Sequence, residues 1–167
     1  MSGKPEKVQV NAFHVGPPKT ATTWVHSCLK QHPEITTSET DSIRFFDMYY
    51  PYGFDWYHAH FEGGGKRPVT FDPTPSYLWS RSALEKIVEY NDEAKVIVCI
   101  RDPVERAFSH YWHLKKKRLI GWEFEEVLDN ANTYAMFVRS GLVADGLEFL
   151  VDRLGWERVK VINFDDI

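Results

Sequence analysis

The sequence predicts an α/β fold with a mostly parallel central sheet flanked by helices, and two observations support this prediction. Stretches with strand composition alternate along the chain with stretches of helical periodicity, which is typical of parallel strands joined by crossover helices. Residues 95–100, Lys-Val-Ile-Val-Cys-Ile, contain an unbroken apolar run that is typical of a central strand covered on both faces. We treat residues 1–167 as a single domain, because this length is usual for one.

The first part of the chain predicts a strand, a tight loop and a helix. Residues 8–15 are rich in strand formers and run into residues 16–23, Gly-Pro-Pro-Lys-Thr-Ala-Thr-Thr. Apolar residues then recur at helical spacing until His32-Pro33. We expect Thr22 or Thr23 to cap this helix. The stretch 35–66, which ends in three glycines at 63–65, is expected to be irregular, and a short strand follows at 69–71.

The second part predicts further strands and helices in alternation. An amphipathic helix is expected at 80–90, a strand at 95–100, and a helix that has Pro103 in its first turn and runs to about Leu119. Helices are also expected at 123–130, 133–139 and 144–154, and a last strand at 159–164. The sequence stops after this strand without a helix to cover it, so we expect a C-terminally truncated domain.

The composition excludes several classes of protein. With 43% hydrophobic, 15% aromatic and 26% charged residues, the chain resembles ordinary folded proteins rather than disordered ones. A net charge of -4 gives no reason to expect a nucleic acid or an anionic membrane as a partner. No apolar run is long enough to cross a bilayer, and residues 1–7 are polar. We therefore expect a soluble, cytoplasmic protein.

The loop at residues 16–23 is the first candidate anion site. A strand that feeds a helix through a short loop presents unpaired backbone N–H groups at the positive end of the helix dipole. Lys19 would add a charge, and nearby threonines would add hydroxyl donors. The nucleoside-triphosphatase pattern G-x-x-x-x-G-K-[ST] is not met, because no second glycine precedes Lys19. An ordinary turn with a solvent-facing lysine is an equally good interpretation of this loop alone.

The second candidate site begins at the carboxyl end of the strand at 95–100. Arg101 occupies that end, where open α/β sheets bind ligands. In a helix that starts at Pro103, residues Arg106, Ser109 and His113 share one face. An arginine and a serine so placed can bind a phosphate. The alternative for Arg106 is a simple ion pair with Asp102 across one helical turn.

Together these segments resemble the sulfotransferase family that uses 3'-phosphoadenosine 5'-phosphosulfate (PAPS), particularly its carbohydrate-modifying branch. Lys19-Thr20-Ala21-Thr22-Thr23-Trp24 looks like the 5'-phosphosulfate loop of that family, and residues 101–111 look like its 3'-phosphate motif. Five further motifs occur in the family's order: His32-Pro33-Glu34-Ile35, Phe45-Phe46-Asp47, Gly53-Phe54-Asp55-Trp56-Tyr57, Pro75-Ser76-Tyr77 and Val161-Ile162-Asn163-Phe164-Asp165-Asp166. The resemblance covers residues 8–167 and implies the sulfotransferase fold, which is similar to that of P-loop nucleotide-binding proteins.

The resemblance implies a role for each matched residue. Lys19 would stabilise the negative charge on the leaving phosphate as the sulfuryl group departs. Lys19 and the loop residues that follow would bind the 5'-phosphosulfate end of the donor; these are Thr20, Ala21, Thr22 and Thr23. Arg101 and Ser109 would bind the 3'-phosphate. The product would be 3'-phosphoadenosine 5'-phosphate (PAP), and no metal is expected.

The sequence departs from the family pattern where a catalytic base is expected. Ser42 stands at the position of the glutamate of the carbohydrate branch, Arg44 stands where a histidine is common, and Pro73 replaces a lysine of some relatives. A hydroxyl or amine acceptor must lose a proton during attack. Asp41 is the predicted substitute base, and the alternative is that Glu39 and Asp41 only solvate a loop.

The resemblance implies transfer of a sulfuryl group from PAPS to a hydroxyl or amine of a carbohydrate or small metabolite. A nucleotide donor and such an acceptor are the expected partners. Two alternatives stay open at the level of sequence. One is a nucleotide kinase of related architecture, and the other is a non-catalytic module that binds the nucleotide without transferring a group.

Overall fold

The computed structural model describes residues 8–61 and 65–167, which form a five-stranded sheet with helices around it. The strands are β1 (Ala12–Gly16), β2 (Ile35–Thr37), β3 (Val69–Asp72), β4 (Lys95–Ile100) and β5 (Val159–Asn163). Their order across the sheet is β2-β3-β1-β4-β5, and each neighbouring pair is parallel. The predicted α/β fold with a mostly parallel sheet is therefore confirmed.

The α-helices are α1 (Thr22–Lys30), α2 (Gly53–His58), α3 (Arg81–Tyr90), α4 (Pro103–Lys116), α5 (Ala131–Phe137) and α6 (Ala144–Leu154). Two of them begin at side-chain caps. The Ser80 hydroxyl accepts a hydrogen bond from a first-turn amide of α3, and Asp102 accepts hydrogen bonds from two first-turn amides of α4, both at 2.9 Å. Pro103 occupies the first turn of α4 as predicted, where its missing N–H group costs nothing.

The expected cap of α1 is wrong. Neither Thr22 nor Thr23 caps this helix, because both already lie within it. The cap position is Ala21, which adopts a left-handed backbone conformation with φ of 62° and makes no side-chain hydrogen bond to the helix. Lys19 is also left-handed, with φ of 73°. The chain therefore enters α1 through two left-handed residues, Lys19 and Ala21, and no threonine hydroxyl caps the helix.

The stretch expected to be irregular is more ordered than predicted. It contains β2, α2, a π-helical turn (Phe45–Tyr49) and a 3-10 turn (Tyr50–Tyr52). The buried rings of Phe45 and Tyr57 stack with their centroids 4.4 Å apart, so aromatic packing stabilises these short elements. Glycines 63 and 64 lie outside the described residues. The helix expected at 123–130 is a 3-10 turn (Phe124–Leu128), and α5 corresponds to the one expected at 133–139.

A buried carboxylate holds the segment that follows β3 in place. Asp72 accepts hydrogen bonds from the hydroxyls of Tyr57 at 2.8 Å, Tyr77 at 3.0 Å and Thr74 at 2.6 Å. Burial raises the pKa of Asp72, and these hydrogen bonds oppose that rise. The segment then crosses the end of β1, where the Leu78 amide donates to the Val15 carbonyl at 2.9 Å. The loops after β1 and β3 are therefore fixed against each other.

Candidate functional site

The strand order creates a crevice at the carboxyl ends of β1 and β4. From β1 the chain continues through α1 to β2 on one side of the sheet, and from β4 it continues through α4 to β5 on the other. Neighbouring strands whose connections diverge in this way mark the place where open α/β sheets bind ligands. The two segments predicted to bind anions follow these two strands, so the topology brings them to one crevice.

The loop after β1 is tightly built. Gly16 has φ of 109°, and a Cβ atom at this position would lie 1.8 Å from the Pro75 carbonyl oxygen. The Thr20 side chain is buried, and its hydroxyl donates to the Pro17 carbonyl at 2.6 Å. Thr20 therefore holds the loop together with its side chain, and its backbone amide is what it can offer to a ligand. Thr22 is half-buried and Thr23 is exposed.

Arg101 joins the second segment to this loop. Its guanidinium donates to the Lys19 carbonyl at 3.3 Å and to the Glu105 carboxylate at 3.3 Å. It also lies over the Phe164 ring, 4.1 Å from the centroid. The side chain is 18% exposed, so one edge of the crevice consists of a largely enclosed arginine in contact with the backbone of Lys19.

Positive charge is concentrated around Lys19. Burial, together with the charges of Lys117, Arg101 and Lys116, lowers the pKa of Lys19. Burial also lowers the pKa of His113, and the charges of Lys19 and Lys117 contribute to this shift. An anion bound beside Lys19 would reduce this repulsion between like charges.

The end of α4 carries four consecutive cations, Lys115, Lys116, Lys117 and Arg118, and these do not act as a unit. Lys115 donates to the Glu123 carboxylate at 3.0 Å and to the Trp122 carbonyl at 2.8 Å. Its neighbours Lys116 and Lys117 are the two whose charges lower the pKa of Lys19. Lys116 and Lys117 therefore contribute positive charge to the crevice, whereas Lys115 is paired with Glu123.

Both predictions for Arg106 are wrong. The side chain is 1% exposed and donates to the carbonyls of Pro18, at 3.4 Å, and Phe137. It forms no ion pair with Asp102, whose carboxylate caps α4, and it is too enclosed to meet a phosphate in the crevice. Ser109 lies about one turn further along α4 and is half-buried, and its hydroxyl has no hydrogen-bond partner within residues 8–61 and 65–167.

The predicted base, Asp41, is tied to α1. Its carboxylate lies 2.6 Å from Nδ1 of the buried His26, whose Nε2 lies 2.8 Å from the Thr37 hydroxyl. The Asp41 side chain is 62% exposed, so this aspartate is both positioned and open to solvent. Ser42 is exposed as well.

A second carboxylate, Asp47, is connected to the loop after β1 through the segment at Pro75 and Ser76, although the sequence offered no reason to prefer it. Asp47 accepts hydrogen bonds from Arg44, at 3.0 and 3.2 Å, and from the Ser76 hydroxyl at 2.7 Å. Ser76 follows Pro75, the residue whose carbonyl packs against Gly16. The Asp47 side chain is only 6% exposed. The Arg-x-x-Asp spacing is the signal that predicts the Arg44 pair.

A cleft of about 710 Å³ adjoins the helix that carries Ser109. His110 of α4 lines one side, and the segment after β3, α5 and the start of α6 line the others. Burial, with the charges of Arg106, Lys19 and His113, lowers the pKa of His110 to about 4. Among the described residues, no group of three or more His, Cys, Asp or Glu side chains is arranged to hold a metal ion.

Comparisons with known proteins identify the family of this chain. The model of a family described as "Sulfotransferase domain" matches residues 11–145. The heparan sulfate glucosamine 3-O-sulfotransferase 3B1 of Mus musculus is 33% identical over 117 residues, which are 70% of this chain and 30% of that protein. The membrane-associated sulfotransferase kil1 of Dictyostelium discoideum is 32% identical over 104 residues, which are 60% of this chain and 22% of that protein. The matched segments therefore cover less than a third of the length of either relative.

Solved structures share the architecture. A sulfotransferase from Alicyclobacillus acidocaldarius superposes with a TM-score of 0.84 at 25% identity, over 95% of this chain and 74% of that one. The sulfotransferase domain from the curacin biosynthetic pathway superposes with a TM-score of 0.64 at 15% identity, over 96% and 69% of the two chains. The second likeness concerns the fold alone.

Proposed function

This chain belongs to the sulfotransferase domain family, and we propose that it transfers the sulfuryl group of PAPS to a hydroxyl or amine group of a carbohydrate. One observation carries the proposal. Arg101 bonds the Lys19 carbonyl at 3.3 Å, so the two segments proposed to bind opposite ends of one bisphosphorylated nucleotide meet at the crevice. Neither segment alone distinguishes such a nucleotide from an ordinary adenylate.

The residues around the crevice fit an anionic nucleotide. The charge of Arg101 acts on the Lys19 amine, and the buried Nε atom of Arg101 has no hydrogen-bond partner in the described part of the chain. We assign Arg101 and Ser109 to the 3'-phosphate, and Lys19 with the amides of residues 20–23 and the hydroxyls of Thr22 and Thr23 to the 5'-phosphosulfate. Bound PAPS would supply the activated sulfuryl group.

Lys19 has the main electrostatic role in the proposed transfer. Negative charge grows on the leaving phosphate as its bond to sulfur breaks, and a fixed ammonium at that oxygen stabilises the charge where it develops. The left-handed backbone at Lys19 is held by Arg101. The side chain therefore starts from a fixed point and needs little reorganisation during transfer.

The acceptor is proposed to be an acidic carbohydrate. The charges of Lys116 and Lys117 reach Lys19 from the end of α4, and a cationic entrance of this kind concentrates anionic substrates. The names of several relatives include heparan sulfate glucosamine, which supports the same class of acceptor for this chain.

We keep Asp41 as the proposed base that removes the acceptor proton. Its carboxylate is 62% exposed and is oriented by His26 at 2.6 Å. Asp47 is 6% exposed and already accepts hydrogen bonds from Arg44 and Ser76. A base must come within hydrogen-bond reach of the acceptor, and Asp41 is the more accessible of the two.

Calorimetric titration with PAP, AMP and magnesium-ATP tests the proposal. We expect PAP to bind more tightly than AMP. We also expect Arg101→Ala and Ser109→Ala each to weaken the binding of PAP by about tenfold or more, and to change the binding of AMP little. Arg158→Ala is the control, because Arg158 lies before β5, at the opposite end of the strand from the crevice. Tighter binding of magnesium-ATP than of PAP would contradict the assignment.

The cellular location stays a prediction. In the described ranges, 8–61 and 65–167, the helices are too short or too polar to cross a bilayer. One of the relatives is named as membrane-associated. Fractionation of cells that express the native gene, with detection of the protein in cytosolic and membrane pellets, tests the cytoplasmic location expected from the sequence.

A further inference from the structure

Arg106 is a buried cation that bonds backbone rather than a carboxylate. Its side chain is 1% exposed, and its guanidinium donates to the carbonyls of Pro18 and Phe137. No carboxylate pairs with it among residues 8–61 and 65–167. Burial lowers the pKa of Arg106 to about 10, so the side chain keeps its charge at neutral pH. A charge buried in this way is costly unless its hydrogen bonds hold something in place.

The guanidinium is enclosed on the sides that could meet a ligand. A Cβ atom added at Gly141 would lie 2.3 Å from Nε of Arg106 and 3.0 Å from its Cζ. An alanine at position 141 would therefore force the guanidinium to shift from this position. The planar group fills the space between the loop after β1, the end of α5 and the turn at Gly141.

Two arginines of one motif bond consecutive carbonyls of the same loop. Arg106 bonds the carbonyl of Pro18, and Arg101 bonds the carbonyl of Lys19. Between them the chain adopts the left-handed conformation at Lys19, with φ of 73°. That conformation is strained for a non-glycine residue, so it persists only where neighbouring groups hold it.

We propose that Arg106 is a positioning residue that clamps the Pro18 carbonyl to α4 and to the end of α5, and so holds Lys19 in its donor-binding conformation. It acts on the donor through the loop and does not touch it. The inference rests on the proposed function, because it takes the loop at Pro18–Ala21 as the donor loop. On this proposal Phe137 and Gly141, which lie against the Arg106 guanidinium, also determine the conformation of that loop.

Two variants disturb the clamp in different ways. Arg106→Gln removes the positive charge and the planar set of N–H donors of the guanidinium. Gly141→Ala keeps the arginine and displaces its guanidinium, because the new methyl group would lie only 2.3 Å from Nε. Their controls are Arg158→Gln, which changes an arginine that bonds the Leu154 carbonyl, and Gly121→Ala, where an added Cβ meets nothing within 4 Å.

The first measurement needs no ligand. NMR relaxation of the amides of Lys19, Thr20 and Ala21 reports the order of the loop. We expect order parameters of about 0.85 for these amides in the wild type and in both controls, and below about 0.6 in Arg106→Gln and Gly141→Ala. Unchanged loop order in both clamp variants, with the fold intact by thermal unfolding, would overturn the proposal.

The second measurement is PAP affinity by calorimetry. Loss of a charge-assisted hydrogen bond predicts a weakening of about 10- to 100-fold in both clamp variants and none in the controls. Arg106→Lys separates the effect of the positive charge from that of the donor geometry, because an ammonium keeps the charge but cannot reproduce the planar arrangement of guanidinium N–H donors. Recovery of full PAP affinity in Arg106→Lys would show that charge alone matters and would reject the clamp.

The two measurements separate the clamp from the proposed function. A wild-type protein that does not bind PAP rejects the proposed function, while the loop dynamics still test the clamp. Should Arg106→Gln fail to fold, Gly141→Ala decides the matter, because it retains the buried arginine. Normal loop order and normal PAP affinity in folded Gly141→Ala would then reject the clamp.

Discussion

At the scale of single residues, Lys19 combines properties that rarely occur together on a lysine. Its backbone is left-handed, its carbonyl is held by Arg101, and burial and neighbouring cations lower the pKa of its amine. Burial is the larger cause of the lowered pKa, and repulsion between the charged amine and the neighbouring cations adds to it. A bound anion relieves that repulsion, so part of the donor's affinity originates in the arrangement of these cations.

Lys19→Ala tests this role directly. We expect the rate of sulfuryl transfer to fall by about 100-fold or more, because removing one fixed group at a developing charge typically has an effect of this size. The measurement is turnover with PAPS and an acidic glycan acceptor. Lys30→Ala, which removes an exposed lysine at the end of α1, is the control and should leave the rate unchanged. Equal rates in Lys19→Ala and the wild type would contradict the assigned role.

A second residue, His14, makes the stability of the protein depend on pH. Its side chain is fully buried, and neither ring nitrogen has a hydrogen-bond partner among the described residues. Burial, with the charge of His26, lowers the pKa of His14 to about 4. The unfolded chain binds a proton at this histidine below about pH 6.5, whereas the folded protein does so only near pH 4. Stability is therefore lost as the pH falls from about 6.5 to about 4.

His14→Leu should reduce this loss. We expect the free energy of unfolding of the wild type to fall by about 2 kcal/mol more than that of His14→Leu between pH 7 and pH 4.5. Urea unfolding at the two pH values measures the difference. His32→Leu, which removes an exposed histidine, is the control. The same loss in His14→Leu and the wild type would assign the pH dependence to other groups, such as His110.

At the scale of elements, the sequence predicts those with a strong pattern. Residues 95–100 form β4 as expected, because an apolar run buried on both faces has few other interpretations. The three residues of β2 and the six of α2 escape prediction, because aromatic contacts between distant segments stabilise them. For the site, topology places Arg101 beside the loop after β1. The burial of Arg106 depends on α5 and Gly141, which no local pattern indicates.

The contact between the loops after β1 and β3 predicts the effect of Gly16→Ala. An alanine here would have φ of 109° and a Cβ atom 1.8 Å from the Pro75 carbonyl oxygen. We expect the free energy of unfolding to fall by about 3 kcal/mol or more, because backbone strain and overpacking act together. Urea unfolding measures the loss, and Gly121→Ala, in open space, is the control. Similar stability in the two variants would show that the loops can separate without cost.

At the scale of the whole molecule, the distribution of charge matters more than its sum. The chain carries a net charge of -4, yet four cations surround the crevice: Lys19, Arg101, Lys116 and Lys117. Such a local positive field attracts anions from a distance of about one Debye length, which is about 10 Å at 0.1 M salt. Total charge therefore fails to indicate what the protein binds.

The dependence of PAP affinity on salt tests this field. We expect the dissociation constant to rise with salt in the wild type, and to rise with a smaller slope in the double variant Lys116→Gln/Lys117→Gln. Lys115→Gln is the matched control from the same run, because Lys115 is engaged by Glu123. Calorimetry across a salt series provides the slopes. Identical slopes in the double variant and the wild type would place the attractive charge elsewhere.

The position of β1 in the sheet also shapes how the protein is made. This strand is synthesised before its neighbours in the sheet, and its register pairs Phe13 with Asp72 of β3 and with Val96 of β4. At about 5–20 residues per second, the ribosome needs several seconds to deliver both partners. Throughout that interval the nascent β1 presents unpaired strand edges that can join other chains. We therefore expect slower translation to lower the yield of soluble protein, and added chaperones to restore it.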